Sequence, residues 1–259
     1  WLIALSSYLW QGFTSFAVRF PPALFGTLTI LVTFLLGKAL YSGRTGFLSG
    51  LILATSIEFA FLSTRANIDT TLTFFTTASL FFFFLWYQHL QGGAEKKDKV
   101  EAKVEGKDKN KAKVEVKDPV KIGEEEKRKN RYIYGFYISM ALATLAKGPV
   151  GFILPLLVGL IYLLVRKDWN GFKKMRLLPG MVLFLILVCS WYLPAVLKGG
   201  REYFDETLLR HSIDRFAEGT RHVQPIYFYF SNFPVEFLPW FFFLPAGLVY
   251  GFSKGMLNK

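Results

Sequence analysis

An all-α, polytopic transmembrane helix bundle is the fold class this sequence predicts, and three observations carry the prediction. The chain of 259 residues is 52% hydrophobic and 18% aromatic, with 28 Phe, and its mean hydropathy of +0.32 is unusual for a soluble domain. Its apolar residues gather in runs close to the roughly 17 to 25 residues that a helix needs to cross about 30 Å of hydrocarbon. The joins between those runs carry turn and breaker residues: Pro21-Pro22, Tyr41-Ser42-Gly43, Gly148-Pro149 and Lys198-Gly199-Gly200.

Residues 1–10, WLIALSSYLW, are apolar but short and rich in Trp and Tyr, which fits an interfacial helix or the tail of a span. The sequence opens on Trp1 inside an apolar segment, with no basic leader region or cleavage site, and so reads as a piece of a longer chain. Seven candidate spans follow, over 22–41, 47–66, 70–89, 132–147, 149–165, 177–197 and 234–252. If each run crosses once, the basic joins at 38–44, 90–131 and 166–176 share one side, which the positive-inside rule makes cytoplasmic. The opposite, extracytoplasmic side then holds residues 65–70, residues 147–149 and the loop 198–233, whose five Lys/Arg and five Asp/Glu balance. Three regions result: membrane helices over 1–91 with an outer-face junction at Asp69, a charged cytoplasmic linker over 92–131, and membrane helices over 132–259 with the outer loop 198–233.

The linker has 14 Lys/Arg, 10 Asp/Glu and no aromatic residue, too little apolar area to offset ordering. It is expected to be disordered or weakly helical. The net charge of +12 rests largely on such segments, with interleaved signs and no stacking aromatics, so contact with membrane lipids is the reading and a nucleic-acid partner is not. Cys189, the one cysteine, excludes an intrachain disulfide framework and is expected to be a small buried side chain.

Polar groups at membrane depth are costly and tend to face a cavity or each other. Asp69, in STRANIDTTLTFF, reads either as the N-cap of a helix beginning at Thr70 or as an anion facing a cavity. Lys147, in ATLAKGPVGF, either snorkels to the interface or is held at the bundle mouth by a tight Gly148-Pro149 reversal, where an ammonium suits a phosphate. Arg65 lies on the same side. In the outer loop, Leu208, Leu209, Ser212 and Phe216 form the stripe of an amphipathic juxtamembrane helix, on which His211 and Arg215 share a face. Arg215 could hold phosphate, and His211, with His222 nearby, could ligate a divalent metal ion, although no carboxylate or His pair stands at a tight ligand spacing. Glu58 reads as a polar contact within its span, and His89 as the end of another.

The segments RFPPALFGTLTILVTFLLGKALYSGRTGFLSGLILATS, STRANIDTTLTFF, LATLAKGPVGFILPLL, HSIDRFAEGTRHVQPIYFYF and FLPWFFFLPAGL together resemble bacterial polytopic glycosyltransferases of the GT-C class. The near groups are the aminoarabinose transferases that modify lipid A and the protein O-mannosyltransferase-like family. The resemblance implies an enzyme of the bacterial cytoplasmic (inner) membrane that takes a hexosyl or pentosyl unit from a polyprenyl-phosphate carrier. The acceptor would be a lipid or a protein at the outer face, and no nucleotide cofactor is implied. It assigns Asp69 to the reaction centre, Lys147 and Arg215 to the carrier phosphate, His211 or alternatively His222 to a metal, and Tyr227, Tyr229 and Trp240 to the lipid or acceptor approach; Arg65, placed on the same side by the topology, is taken as a further carrier-binding cation. Members of these groups carry, ahead of the part matching Trp1, a span, an outer loop with an acidic base and a Glu-Lys-Pro-Pro motif, so this piece alone is expected to be inactive.

A different class would also gather basic residues in a membrane cavity: a lipid-linked saccharide transporter or flippase. It predicts symmetry between halves and helices broken near mid-bilayer. No internal repeat is visible.

Overall fold

The computed structural model describes residues 2–105, 119–204 and 225–253, and among them the regular structure is wholly helical. The helices are α1 (Leu2–Leu9), α2 (Ser15–Leu40), α3 (Gly43–Thr55), α4 (Ile57–Thr64), α5 (Asp69–Glu105) and α6 (Pro119–Lys147). They continue as α7 (Val150–Val165), α8 (Trp169–Lys174), α9 (Leu177–Phe204), α10 (Ile226–Glu236), a 3-10 turn at Trp240–Phe243 and α11 (Leu244–Ser253). The chain forms two compact units, Trp1–Phe74 with Ala195–Lys259, and Phe75–Pro194.

In the first unit, α2 begins well before the expected boundary at residue 22. Thr14 caps it, accepting the Ala17 N–H at 3.1 Å, and Pro21 and Pro22 lie inside the helix, both buried. An interior proline removes a donor and usually costs about 3 kcal/mol, but membrane helices tolerate it where neighbours and side chains make up the loss. Glycines then let α2 and its partners approach closely. Gly37 faces Gly46 of α3, a Cβ on Gly46 would strike the Phe34 carbonyl and the Lys38 nitrogen, and Gly26 fits against Ser63 of α4. Such small-residue contacts drive association in lipid, where there is no hydrophobic force between helices.

The run expected as one span at 47–66 is two helices, α3 and α4, bent by 65°. The hydrogen bonds at the break can be traced one by one. The Ser56 N–H turns to the Leu53 carbonyl at 3.3 Å, and the Ile52 carbonyl it would have served is taken by Ser56 Oγ at 2.7 Å. Thr55 Oγ1 donates to the Leu51 carbonyl at 2.7 Å. The freed Ile57 N–H donates to the Leu238 carbonyl at 3.2 Å, and the Trp240 indole N–H donates to Thr55 Oγ1 at 2.7 Å. Leu238 and Trp240 themselves belong to a second break, where Phe230–Glu236 and Trp240–Tyr250 meet at 108°. Each bend is therefore docked against the other.

The second unit is built on aromatic packing. Phe83, Trp86, Ile133, Phe136, Tyr137, Met140, Leu163 and Met175 are buried in one cluster. The Phe83 ring lies 5.6 Å from Phe136 and meets Tyr162 edge-on at 6.0 Å. Tyr137 packs over Gly180, where a Cβ would collide with the ring, and its hydroxyl donates to the Met175 carbonyl at 3.1 Å.

Among the described residues three helices can cross a membrane by length and hydropathy, Ser15–Leu40, Asp69–Gly92 and Leu177–Gly200, or up to five if each bent pair is one span. The runs at 132–147 and 149–165 are helical but shorter. Within 92–131, α5 extends to Glu105 and α6 begins at Pro119, so the described parts of the linker are helical. Cys189 is exposed rather than buried. It sits on α9, whose apolar residues Leu185, Ile186 and Leu193 are also exposed, because a helix apolar on all faces turns some of them to lipid.

Gly180→Leu is expected to destabilise the chain by about 1–3 kcal/mol through overpacking against Tyr137, read as a lower thermal midpoint in detergent. Combining it with Tyr137→Ala should cost less than the sum of the two single changes.

Candidate functional site

The turn between α4 and α5 carries two of the candidates. Arg65 ends α4 in an extended conformation, and its carbonyl accepts the Asn67 N–H at 2.9 Å. Asn67 Oδ1 in turn accepts the Asp69 N–H at 3.0 Å, and the Ile68 carbonyl accepts the Leu72 N–H at 3.0 Å. Asp69 is thus the first residue of α5 rather than its N-cap, and the capping side chain is Asn67. As a half-buried carboxylate in the first turn, Asp69 lies where the helix dipole favours a negative charge. Arg65 is exposed, and its guanidinium carbon stands 3.8 Å over the Phe61 ring, one helical turn back along α4, a cation–π contact that holds the cation beside the turn. Next to Asp69, Thr70 is buried with its Oγ1 lacking a hydrogen-bond partner.

The other outer-approach candidates fall in the same unit. Tyr227 is exposed on α10, which packs on α4, and Tyr229 lies on that helix too. Trp240 is half-buried, with its indole engaged by Thr55. Its bond to the break makes it a clasp between two helices, a role that composition and spacing gave no hint of.

Lys147 belongs to the second unit and is the last residue of α6. Gly148 follows with φ of +76°, and the Gly148 N–H donates to the Thr144 carbonyl at 2.7 Å. This left-handed position is where glycine is favoured. Pro149 then starts α7, and the Gly151 N–H closes the turn on the Gly148 carbonyl at 3.1 Å. A Cβ on Gly151 would run into the Ala143 and Thr144 backbone. The tight reversal read from Gly148-Pro149 is present, and it leaves Lys147 exposed at a helix C-terminus, where a cation is favoured by the dipole.

His211, Arg215 and His222 lie outside the described residues, as does the amphipathic helix expected there. Among the described residues no group of three or more His, Cys, Asp or Glu side chains converges as a metal site would require. Glu58, read as a contact within a straight span, sits instead in the first turn of α4, at the break. His89 bonds through Nδ1 to the Leu85 carbonyl at 2.8 Å and lies against Tyr132, a structural placement.

Residues 1–94 match the family described as dolichyl-phosphate-mannose-protein mannosyltransferase. The chain is 28% identical over 252 residues to the undecaprenyl phosphate-alpha-4-amino-4-deoxy-L-arabinose arabinosyl transferase of Pseudomonas paraeruginosa, covering 96% of this chain and 39% of that one. An uncharacterized protein of Aquifex aeolicus is 29% identical over 244 residues, covering 93% and 40%. Among solved structures, ArnT from Cupriavidus metallidurans bound to undecaprenyl phosphate superposes with a TM-score of 0.73 at 19% identity, over 95% of this chain and 39% of that one; its apo state gives 0.69. The chain therefore spans about two fifths of the length of the curated relatives it matches. The resemblance to GT-C transferases read from the motifs is borne out by these sequence relatives, and the likeness to ArnT shows the fold, a helical multi-pass membrane bundle.

Trp240→Phe is expected to cost about 1 kcal/mol by removing one hydrogen bond, and Thr55→Val more, because it also removes the hydroxyl's bond to the Leu51 carbonyl. In a double-mutant cycle on thermal unfolding the pair should be non-additive, since both changes delete the same contact.

Proposed function

We propose that the intact gene product is a membrane glycosyltransferase that moves a hexosyl or pentosyl unit from a polyprenyl-phosphate carrier to a lipid or protein acceptor at the outer face of the bacterial cytoplasmic membrane. The observation that carries this reading is the fold likeness to ArnT bound to undecaprenyl phosphate over 95% of the chain, supported by sequence relatives named as arabinosyl transferases on the same carrier.

In this reading the lipid phosphate is the leaving group. Lys147, at the C-terminal end of α6, and Arg215 are assigned to stabilising its developing charge, and Arg65 to binding the carrier. Asp69 serves the reaction centre, where a carboxylate can take a proton from the acceptor hydroxyl or orient it. Tyr227, Tyr229 and Trp240 flank the path of lipid or acceptor. A divalent cation held by His211, or by His222 in its place, stays part of the proposal. The described residues do not supply a donor set that fits one, so no step runs through it, and no nucleotide cofactor takes part.

One observation favours the second reading, a lipid-linked saccharide transporter: among the described residues two helix pairs are broken, a feature of transporter cores. A transfer assay separates the two. Membranes holding the intact gene product, given radiolabelled polyprenyl-phosphate sugar, should yield labelled acceptor, whereas a transporter would move label across the vesicle without joining it to anything. Lys147→Ala and Arg215→Ala should each lower transfer by about 100-fold or more while the protein remains in the membrane. Near-normal transfer by either variant removes that residue's assigned role.

A further inference from the structure

The turn between α7 and α9 carries a concentration of charge that sugar transfer does not use. Residues 166–176 contain five basic side chains, Arg166, Lys167, Lys173, Lys174 and Arg176, against one carboxylate, Asp168. That carboxylate is occupied on both oxygens: Oδ1 accepts the Gly171 N–H at 2.8 Å and Oδ2 accepts from Gln91 Nε2 at 2.8 Å. It caps α8 and ties the turn to α5, leaving the lysines to face outward.

Arg166, Lys167, Lys173 and Lys174 are exposed, and Arg176 reaches the Tyr134 hydroxyl at 3.3 Å. The Arg166 guanidinium is charged at any physiological pH, as arginines are. Interleaved with these cations are large apolar side chains: Val165 is 75% exposed, Trp169 68% and Leu178 79%. Cations alternating with exposed Trp and aliphatic groups are what a segment lying at the headgroup boundary presents, the apolar groups meeting acyl chains and the cations meeting headgroups.

The turn is also built rather than loose. Lys167 and Arg176 both take left-handed backbone, with φ of 51° each, where glycine would be the low-strain residue. Lys167 and Asp168 donate back to the Leu164 and Leu163 carbonyls at 3.0 and 3.1 Å. Met175 and Leu163 are fully buried beneath, so the backbone that carries the cations is held before any ligand arrives, which lowers the ordering cost of binding one.

We propose that the Arg166–Arg176 turn is a binding site for anionic phospholipid headgroups of the leaflet it meets. The charge complementarity selects an anionic over a zwitterionic headgroup, and the apolar rim selects a lipid over a free anion. The site is independent of the sugar-transfer reading and stands or falls on its own test.

The test uses the intact gene product in detergent micelles, with equimolar phosphatidylglycerol and phosphatidylcholine offered and bound lipid counted by native mass spectrometry. Phosphatidylglycerol should be retained in excess, and Lys167→Ala, Lys173→Ala and Lys174→Ala together should weaken its retention about fivefold per charge removed. Removing Lys127, Arg128 and Lys129 instead takes away equal charge outside the turn and should cost far less. If the triple variant does not elute as a folded species, the pair Lys173→Gln and Lys174→Gln, both exposed on α8, gives the same reading. Equal retention of the two lipids by the unaltered protein, or equal loss in the turn variant and the charge-matched one, overturns the proposal.

Discussion

In hydrocarbon every main-chain and hydroxyl group has to find its partner inside the protein, and most of this structure follows from that constraint. The helices meet it for their own backbones. Their serines and threonines meet it by donating one turn back: Thr27 to Ala23, Thr29 to Phe25, Ser63 to Phe59 and Thr144 to Met140, all at 2.7–2.9 Å. Where α3 and α4 part, the same device at Thr55 and Ser56 takes up carbonyls that a straight helix would have satisfied, and the leftover amide is handed to Leu238. Among the described residues Ser6, Ser7 and Thr70 are the buried hydroxyls that escape the rule, and Thr70 adjoins Asp69, the carboxylate that the proposed function assigns to the reaction centre.

The two units weight their packing differently, although glycines make close contacts in both. The first relies on absence of side chain, with Gly26, Gly37 and Gly46 letting backbones touch. The second relies on bulk, with Phe83, Phe136, Tyr137 and Tyr162 interlocked. In both cases the candidate residues sit at helix ends that such packing immobilises. Arg65 and Asp69 bracket a turn fixed by Asn67, and Lys147 ends a helix whose return strand of chain is pinned by Gly151 on Ala143. A charge at an element's end, with its backbone held, meets a ligand with only side-chain freedom left to lose.

Helical character and the positions of the reversals were legible because they depend on local properties. Apolar run length marks the helices, and only glycine enters left-handed backbone cheaply, so Gly148 and Gly200, with φ of 76° and 68°, announce themselves. The break at Ser56 was invisible for the opposite reason. Nothing between Gly50 and Arg65 is glycine or proline, and the bend is sustained by residues far along the chain. Pro21 and Pro22 misled in the other direction, since a breaker in water is admissible within a membrane helix. Asn67 was passed over because the acidic residue two positions later drew the capping role, although an Asn side chain bonding two residues onward is a familiar turn former.

The clasp at Ser56 also has a history. Thr55 and Trp240 are 185 residues apart in sequence, so a chain made from its N-terminus places α3 and α4 in the bilayer long before their acceptor and donor exist. Domains and helices assemble in order of synthesis, and here an early pair is left with an open amide at Ile57 until Leu238 and Trp240 arrive. The bend is completed by a distant segment, so the unit that carries Arg65 and Asp69 takes its final form only after Leu238 and Trp240 have been translated.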